Sequence, residues 1–186
     1  MKQHRILVVY ATRYGQTAKV AVRIGNVIRP EYTVDVKSVA ELQGVFHPAQ
    51  YSGVILAGSV YFGKHQRALR DFVRAHLIFL ITVPTAFVSV SGAGGAQTEE
   101  ARLQVKEYLE RFRSDTAWNP RMTLAVAGGV PYTRYSFVTR WFMKRLARKR
   151  GRIDDTAQDY EYTDWNAVEQ FALDFLAMMR EGPGKA

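Results

Sequence analysis

The apolar and polar positions divide this chain of 186 residues into five short apolar runs separated by helical patterns. The runs cover residues 6–10, 32–36, 54–58, 86–90 and 122–127. Short, near-continuous apolar or β-branched runs suit strands buried on both faces. Between them, apolar residues recur at helical spacing. Val20, Ala21, Ile24, Val27 and Ile28 mark a helix after the first run. Leu69, Phe72, Val73 and Leu77 mark another over residues 66–77. Ala101, Val105, Leu109 and Phe112 place one over 98–113. Val168, Ala172, Phe175 and Met179 place the last over 165–180, where Gly182, Pro183 and Gly184 end it. The connection 37–52 is different: His47 and Pro48 point to loop, and any helix there is short. Strands alternating with helices predict an α/β fold, a doubly wound five-stranded parallel sheet covered on both faces. No internal repeat or low-complexity linker interrupts residues 1–186, so one domain is expected.

Composition narrows the function classes. At 47% hydrophobic the chain can bury a full core. It has no cysteine, which excludes disulfides, thiolate metal sites and thiol nucleophiles. The apolar stretch near the start is too short for a signal peptide, and the longest apolar run, 77–84, is too short to span a bilayer. A cytoplasmic protein is therefore expected. The net charge of +9 calls for an anionic partner: nucleic acid, anionic lipid or an acidic small molecule.

The first apolar run passes directly into Thr12-Arg13-Tyr14-Gly15-Gln16-Thr17 and then into a helix. Unpaired backbone N–H groups and the positive end of the helix dipole meet at such a junction. Thr12 and Thr17 add hydroxyls, and Gly15 lets the backbone approach closely. The loop lacks the lysine of a nucleotide phosphate loop and the three glycines of a dinucleotide fingerprint. A phosphate monoester suits it best; an ordinary well-capped turn is the alternative. In a doubly wound sheet, ligands sit beyond the carboxyl ends of the strands. After the third predicted strand come Ser59, Val60, Tyr61, Phe62 and Gly63, whose aromatics can stack on a flat ring or pack back onto the sheet. After the fourth come Ser91, Gly92, Ala93, Gly94 and Gly95, whose amides can meet the polar edge of a heterocycle or simply form a flexible loop.

Residues 116–153 contain no acidic side chain and nine basic ones, as many as the net charge of +9. Val138, Trp141, Phe142 and Leu146 have helical spacing there, flanked by Lys144, Arg145, Arg148 and Lys149. A basic amphipathic helix bearing Trp and Phe is an interfacial membrane signature, and each cation near an anionic leaflet adds about 1 kcal/mol. Trp141 and Phe142 would enter the lipid boundary. Packing on the domain and nucleic-acid binding are the competing readings, nucleic acid being the less favoured.

Taken together, these features resemble a flavodoxin-like FMN domain, and more narrowly the quinone-dependent protoporphyrinogen IX oxidase family. The resemblance rests on residues 10–17 and 58–63. It also rests on Pro131-Tyr132-Thr133-Arg134-Tyr135, on Phe142-Met143-Lys144, and on Tyr162-Thr163-Asp164-Trp165 opening the last helix. It implies strand order 2-1-3-4-5 with a basic helical insert at approximately 130–158. It implies FMN held by Thr12, Arg13, Tyr14, Gly15, Gln16, Thr17, Ser59, Tyr61, Phe62, Gly63, Ser91 and Gly92, with Tyr61 or Phe62 against the flavin ring. Two departures stand out: Tyr61 where an arginine is expected, and a shorter, glycine-rich loop over 92–98. The implied activity oxidises protoporphyrinogen IX and passes electrons to a membrane quinone, at the cytoplasmic face of the inner membrane. Arg134 or Arg140 can hold the substrate's propionates through charge-assisted hydrogen bonds.

The remaining polar residues carry little. His4, His47, His65 and His76 have no metal-ligand spacing, and no metal is expected. No catalytic side chain can be named, which suits an enzyme whose chemistry belongs to its cofactor. A flavodoxin-type electron carrier, an NAD(P)H:quinone reductase and a non-enzymatic adaptor without FMN are the alternatives. Homo-oligomerisation is left open.

Overall fold

The structure is a computed structural model describing residues 5–95, 98–130 and 160–181. Its elements are β1 (Arg5–Ala11), α1 (Gln16–Ile28), β2 (Thr33–Ser38), β3 (Gly53–Tyr61), β4 (Lys64–His65), α2 (Arg67–Ala75), α3 (Leu77–Thr82) and β5 (Thr85–Ser91). Then follow α4 (Glu99–Thr116), β6 (Met122–Ala127), β7 (Gly129–Val130), β8 (Tyr160–Glu161) and α5 (Trp165–Glu181). The sheet runs β2-β1-β3-β5-β6 with every neighbouring pair parallel. Counting only the five predicted strands, this is the expected 2-1-3-4-5.

Side-chain alternation along each strand divides the core in two. Ile6 and Val8 of β1, Ile55 and Ala57 of β3, and Val88 and Val90 of β5 meet α1 and α5 on one face. Leu7 and Val9, Val54 and Leu56, and Phe87 meet α2, α3 and α4 on the other. Each fully buried Ile, Leu or Val contributes about 1.5–3 kcal/mol, so this double layer dominates stability. On the first face α1 presents Val20, Ala21, Ile24, Gly25 and Ile28. An exposed ion pair, Arg23 Nε to Glu169 Oε1 at 2.7 Å, adds little to its packing on α5.

Three local features differ from the sequence expectation. The helix expected over 66–77 is two helices, broken at His76, whose backbone (φ −118°, ψ 19°) leaves the helical region. The Phe46 ring packs there, 4.6 Å from His76 and 5.2 Å from Phe72 between ring centres. The connection after β2 holds two short 3₁₀ turns, Val39–Leu42 and Pro48–Gln50. Ser38 and Glu41 form a capping box over the first, which drives Val39 and Leu42 into the core. Finally, the loop after β3 is a tight hairpin: Tyr61 pairs with Lys64 across Phe62 and Gly63.

The basic segment lies outside the described residues. So do Arg134, Arg140, Trp141, Phe142, Lys144, Arg145, Arg148 and Lys149. The short β7–β8 pair, Gly129 with Glu161 and Val130 with Tyr160, brings together the two points where the chain leaves and re-enters the described fold.

Candidate functional site

The carboxyl ends of β1, β3, β5 and β6 carry the expected loops side by side. After β1 the chain turns through Gly15, whose φ of 98° lies in the left-handed region that glycine adopts without strain. Thr12 Oγ1 accepts from the Gly15 amide at 2.9 Å and closes the turn. Helix α1 then starts without a side-chain cap, so its first amides remain available to a ligand. Thr17 is 1% exposed, and its Oγ1 has no hydrogen-bond partner among the described residues. A buried hydroxyl without a partner is costly, about 1–3 kcal/mol. An anion at the α1 N-terminus would supply the missing partner. Ser91, at the end of β5, is a second buried hydroxyl in the same condition. This donor set fits a phosphate monoester.

Gln16 does something the sequence did not reveal. Its Nε2 donates to Thr163 Oγ1 at 2.8 Å, and Thr163 in turn donates to the Ala127 carbonyl at 2.8 Å. One buried hydroxyl thus ties the first residue of α1 to the end of β6. Thr163 lies in the motif that opens α5, but a partner 147 positions away leaves no signal in local pattern.

The β3–β4 hairpin stands beside the phosphate loop. Arg13 lies over the Tyr61 ring, its guanidinium carbon 4.0 Å from the centroid. Its Nε donates to the Tyr14 hydroxyl at 3.4 Å, and the Tyr14 ring meets Tyr61 edge-on at 6.2 Å. Hydrogen bonding to Tyr14 raises the Tyr61 phenol above its ordinary pKa. Position 61, where the resemblance leads one to expect an arginine, thus holds a tyrosine under the guanidinium of Arg13. Phe62 and Gly63 both have positive φ, 46° and 74°. That is the requirement of a type I′ turn, where Asn-Gly is the relaxed choice. A phenylalanine there costs about 1–2 kcal/mol, and the residue is 79% exposed. Ser59 Oγ accepts from Gln66 Nε2 at 2.8 Å, which holds the base of the hairpin. Arg111 reaches the Gly63 carbonyl from α4 at 3.3 Å.

In the glycine loop the Gly94 amide donates to the Ser91 carbonyl at 3.2 Å, as does the Gly128 amide at 2.9 Å. Gly94 is thereby committed within the fold. Gly92 faces open space.

His65, the one histidine of these loops, is structural. It is 3% exposed, between Phe87 and Phe112, with Nε2 3.0 Å from Ser89 Oγ. Burial, and secondarily the charge of Arg70, push its pKa from 6.5 down to about 4. The unfolded chain therefore binds the extra proton between those values. The His65 contribution is complete above the unfolded pKa of 6.5 and is lost as pH falls through about 4. His65→Gln cannot titrate there, so urea unfolding at about pH 7 and about pH 4.5 should show a smaller loss for the variant than for wild type. An equal loss would place the acid sensitivity elsewhere. Among the described residues no group of His, Asp and Glu is arranged to hold a metal ion.

The sheet order, the uncapped β1–α1 loop and the aromatic hairpin define an α/β protein of doubly wound type with its candidate site at the carboxyl ends of the strands. The chain belongs to the flavodoxin domain family, which it matches over residues 7–157. A flavodoxin domain implies a flavin cofactor. The narrower resemblance is also borne out. The protoporphyrinogen IX dehydrogenase [quinone] of Escherichia coli K12 is 28% identical over 181 residues, 96% of this chain and 98% of the relative. The protein of that name from Leishmania major is 28% identical over 94% of this chain and 75% of its own length. Solved structures agree at the level of fold. A short-chain flavodoxin associated with a non-canonical PDU bacterial microcompartment superposes with a TM-score of 0.56 at 13% identity, covering 94% of this chain and 98% of that one. Oxidised Flavodoxin 1 from Bacillus cereus gives 0.52 at 15% identity, covering 93% and 97%.

Proposed function

We propose that this protein is an FMN-dependent enzyme that oxidises protoporphyrinogen IX to protoporphyrin IX and passes the electrons to a membrane quinone. The observation that carries this reading is the near full-length match to relatives bearing that name in a bacterium and a protozoan. The buried, unpartnered Thr17 hydroxyl at the start of α1 supports FMN as the flavin, because the free phosphate of FMN is what that position lacks.

The flavin, when bound, supplies the hydride chemistry. The chain positions it. Thr12 shapes the loop, the first amides of α1 and Thr17 hold the phosphate, and Thr163 keeps Gln16 and the helix start in place. Tyr61 would form the aromatic wall beside the flavin ring, with Phe62 beyond it at the rim and Ser91 and Gly92 at the polar edge. Arg134 and Arg140 are the proposed partners of substrate propionates from the basic segment, proposed as an insert over 130–158. The test is anaerobic: purified protein, protoporphyrinogen IX and a quinone are mixed, and porphyrin fluorescence is followed. Quinone-dependent porphyrin formation is expected. Bound FMN with no porphyrin formed would leave the electron carrier.

The basic segment is proposed to attach the enzyme to anionic membrane from the cytoplasmic side, where quinone resides. No described helix is long and apolar enough to cross a membrane. Wild type should co-sediment with anionic vesicles at low salt and be released as salt rises, since screening acts within about 8 Å at physiological ionic strength. A Trp141→Ser, Phe142→Ser double variant should sediment less. Equal sedimentation of the two proteins, or none by wild type, rejects the attachment.

A further inference from the structure

We infer that Phe62 and Arg13 together form a substrate subsite at the rim of the flavin site, built for an apolar macrocycle carrying carboxylates at its edge. The inference rests on the proposed activity and adds to it a place in the described fold where the substrate meets the protein.

Three observations converge. The first is the hairpin tip. Turn chemistry favours Asn or Gly at the position before Gly63, yet the chain places Phe62 there at φ 46°. The strain does not bury the residue, which is 79% exposed, its ring meeting Tyr61 edge-on at 4.4 Å between centroids. A large apolar side chain held in a strained backbone and presented to solvent gains nothing for the fold. Departures of this kind concentrate where a ligand is bound.

The second is Arg13. Its guanidinium rests on Tyr61 at 4.0 Å, and its hydrogen bond goes to a phenol, Tyr14. No carboxylate among the described residues pairs with it. Exposed Arg29 and Arg102 also lack an acidic partner among the described residues, so what sets Arg13 apart is that its guanidinium is held over an aromatic ring. Stacking orients the guanidinium and leaves its N–H edge free, the geometry that recognises a carboxylate.

The third is placement. Tyr61 touches both Phe62 and Arg13, so an apolar surface and an oriented cation sit next to each other. Both border the carboxyl ends of β1 and β3, where a flavin would sit on the proposed reading. A ligand with an apolar body and anionic edge groups satisfies both at once. A purely apolar quinone would use Phe62 alone.

The test uses the FMN-loaded protein and its product, protoporphyrin IX, titrated by absorbance and fluorescence. Phe62→Asn restores the relaxed turn residue. We expect its thermal midpoint to rise while porphyrin affinity falls about tenfold. The second arm compares protoporphyrin IX with its dimethyl ester, which lacks the carboxylates. Wild type should bind the diacid about tenfold more tightly, and Arg13→Met should bind both alike. Unchanged porphyrin affinity in Phe62→Asn with a shifted flavin spectrum would put Phe62 on the flavin and overturn the assignment. Acid-over-ester preference retained in Arg13→Met would overturn the role of Arg13. If wild type neither binds the porphyrin nor oxidises the porphyrinogen, the proposed activity itself fails and takes the subsite with it. Turnover by wild type with no effect of either variant sinks the subsite alone.

Discussion

Thr17→Val should weaken FMN binding by about tenfold to a hundredfold and leave riboflavin binding unchanged. The replacement is close to isosteric, so the buried position on α1 stays filled. Only the hydroxyl is lost, and in the free protein that hydroxyl has no partner. The unliganded fold should therefore be no less stable, because an unsatisfied buried group has been removed. The loss falls on the phosphate complex. A hydrogen bond to a charged group is worth about 1.5–3 kcal/mol, which gives the range above. Riboflavin lacks the phosphate and serves as the control. Titration of the apoprotein by flavin fluorescence quenching measures both. Thr163→Val should act in the same direction and less strongly, since it releases Gln16 and the helix start rather than the phosphate itself. Equal FMN affinity in Thr17→Val and wild type would move the phosphate away from this loop.

Gly94→Ala should be among the most damaging single-atom additions the site can receive. A Cβ there would stand 2.1 Å from the Val126 carbonyl oxygen and 2.4 Å from its carbon. The obstacle is backbone of β6, which pairs along β5 and cannot shift alone. The Gly94 amide is also committed to Ser91, so the loop cannot simply swing outward without breaking that bond. Overpacking against fixed structure costs about 1–3 kcal/mol, occasionally more. The same displacement would disturb Ser91 and with it the polar edge of the proposed flavin site. Gly92→Ala is the matched control, because nothing lies within 4 Å of its Cβ position. It should stay within about 0.5 kcal/mol of wild type. Denaturant unfolding of the two variants and wild type decides it; a neutral Gly94→Ala would mean the loop has room that the geometry denies.

Local chemistry carried a large share of this fold. The five apolar runs became the five strands of the main parallel path, since strands buried on both faces have few other sequences open to them. The Thr12–Thr17 loop was legible for the same reason. A strand end, a glycine and a helix start are contiguous in the chain, and so the anion site proposed for them is contiguous too. The split at His76 was not legible, because the Phe46 ring that packs there comes from a different connection. The hairpin after β3 is not legible as one, because Phe62 contradicts the turn chemistry that would mark it.

By itself, then, the sequence determined the layer architecture, the strand order through resemblance, and the place of the β1–α1 loop proposed to hold the phosphate. These depend on periodicity and on neighbours in the chain. Tertiary structure alone decided which hydroxyls are left unpaired, that Thr163 anchors Gln16, that His65 is buried, and that Arg13 stacks on Tyr61. Each of these is a meeting of residues distant in sequence. Such contacts are set by the packing of whole elements, and hydrophobic pattern records burial without recording the partner.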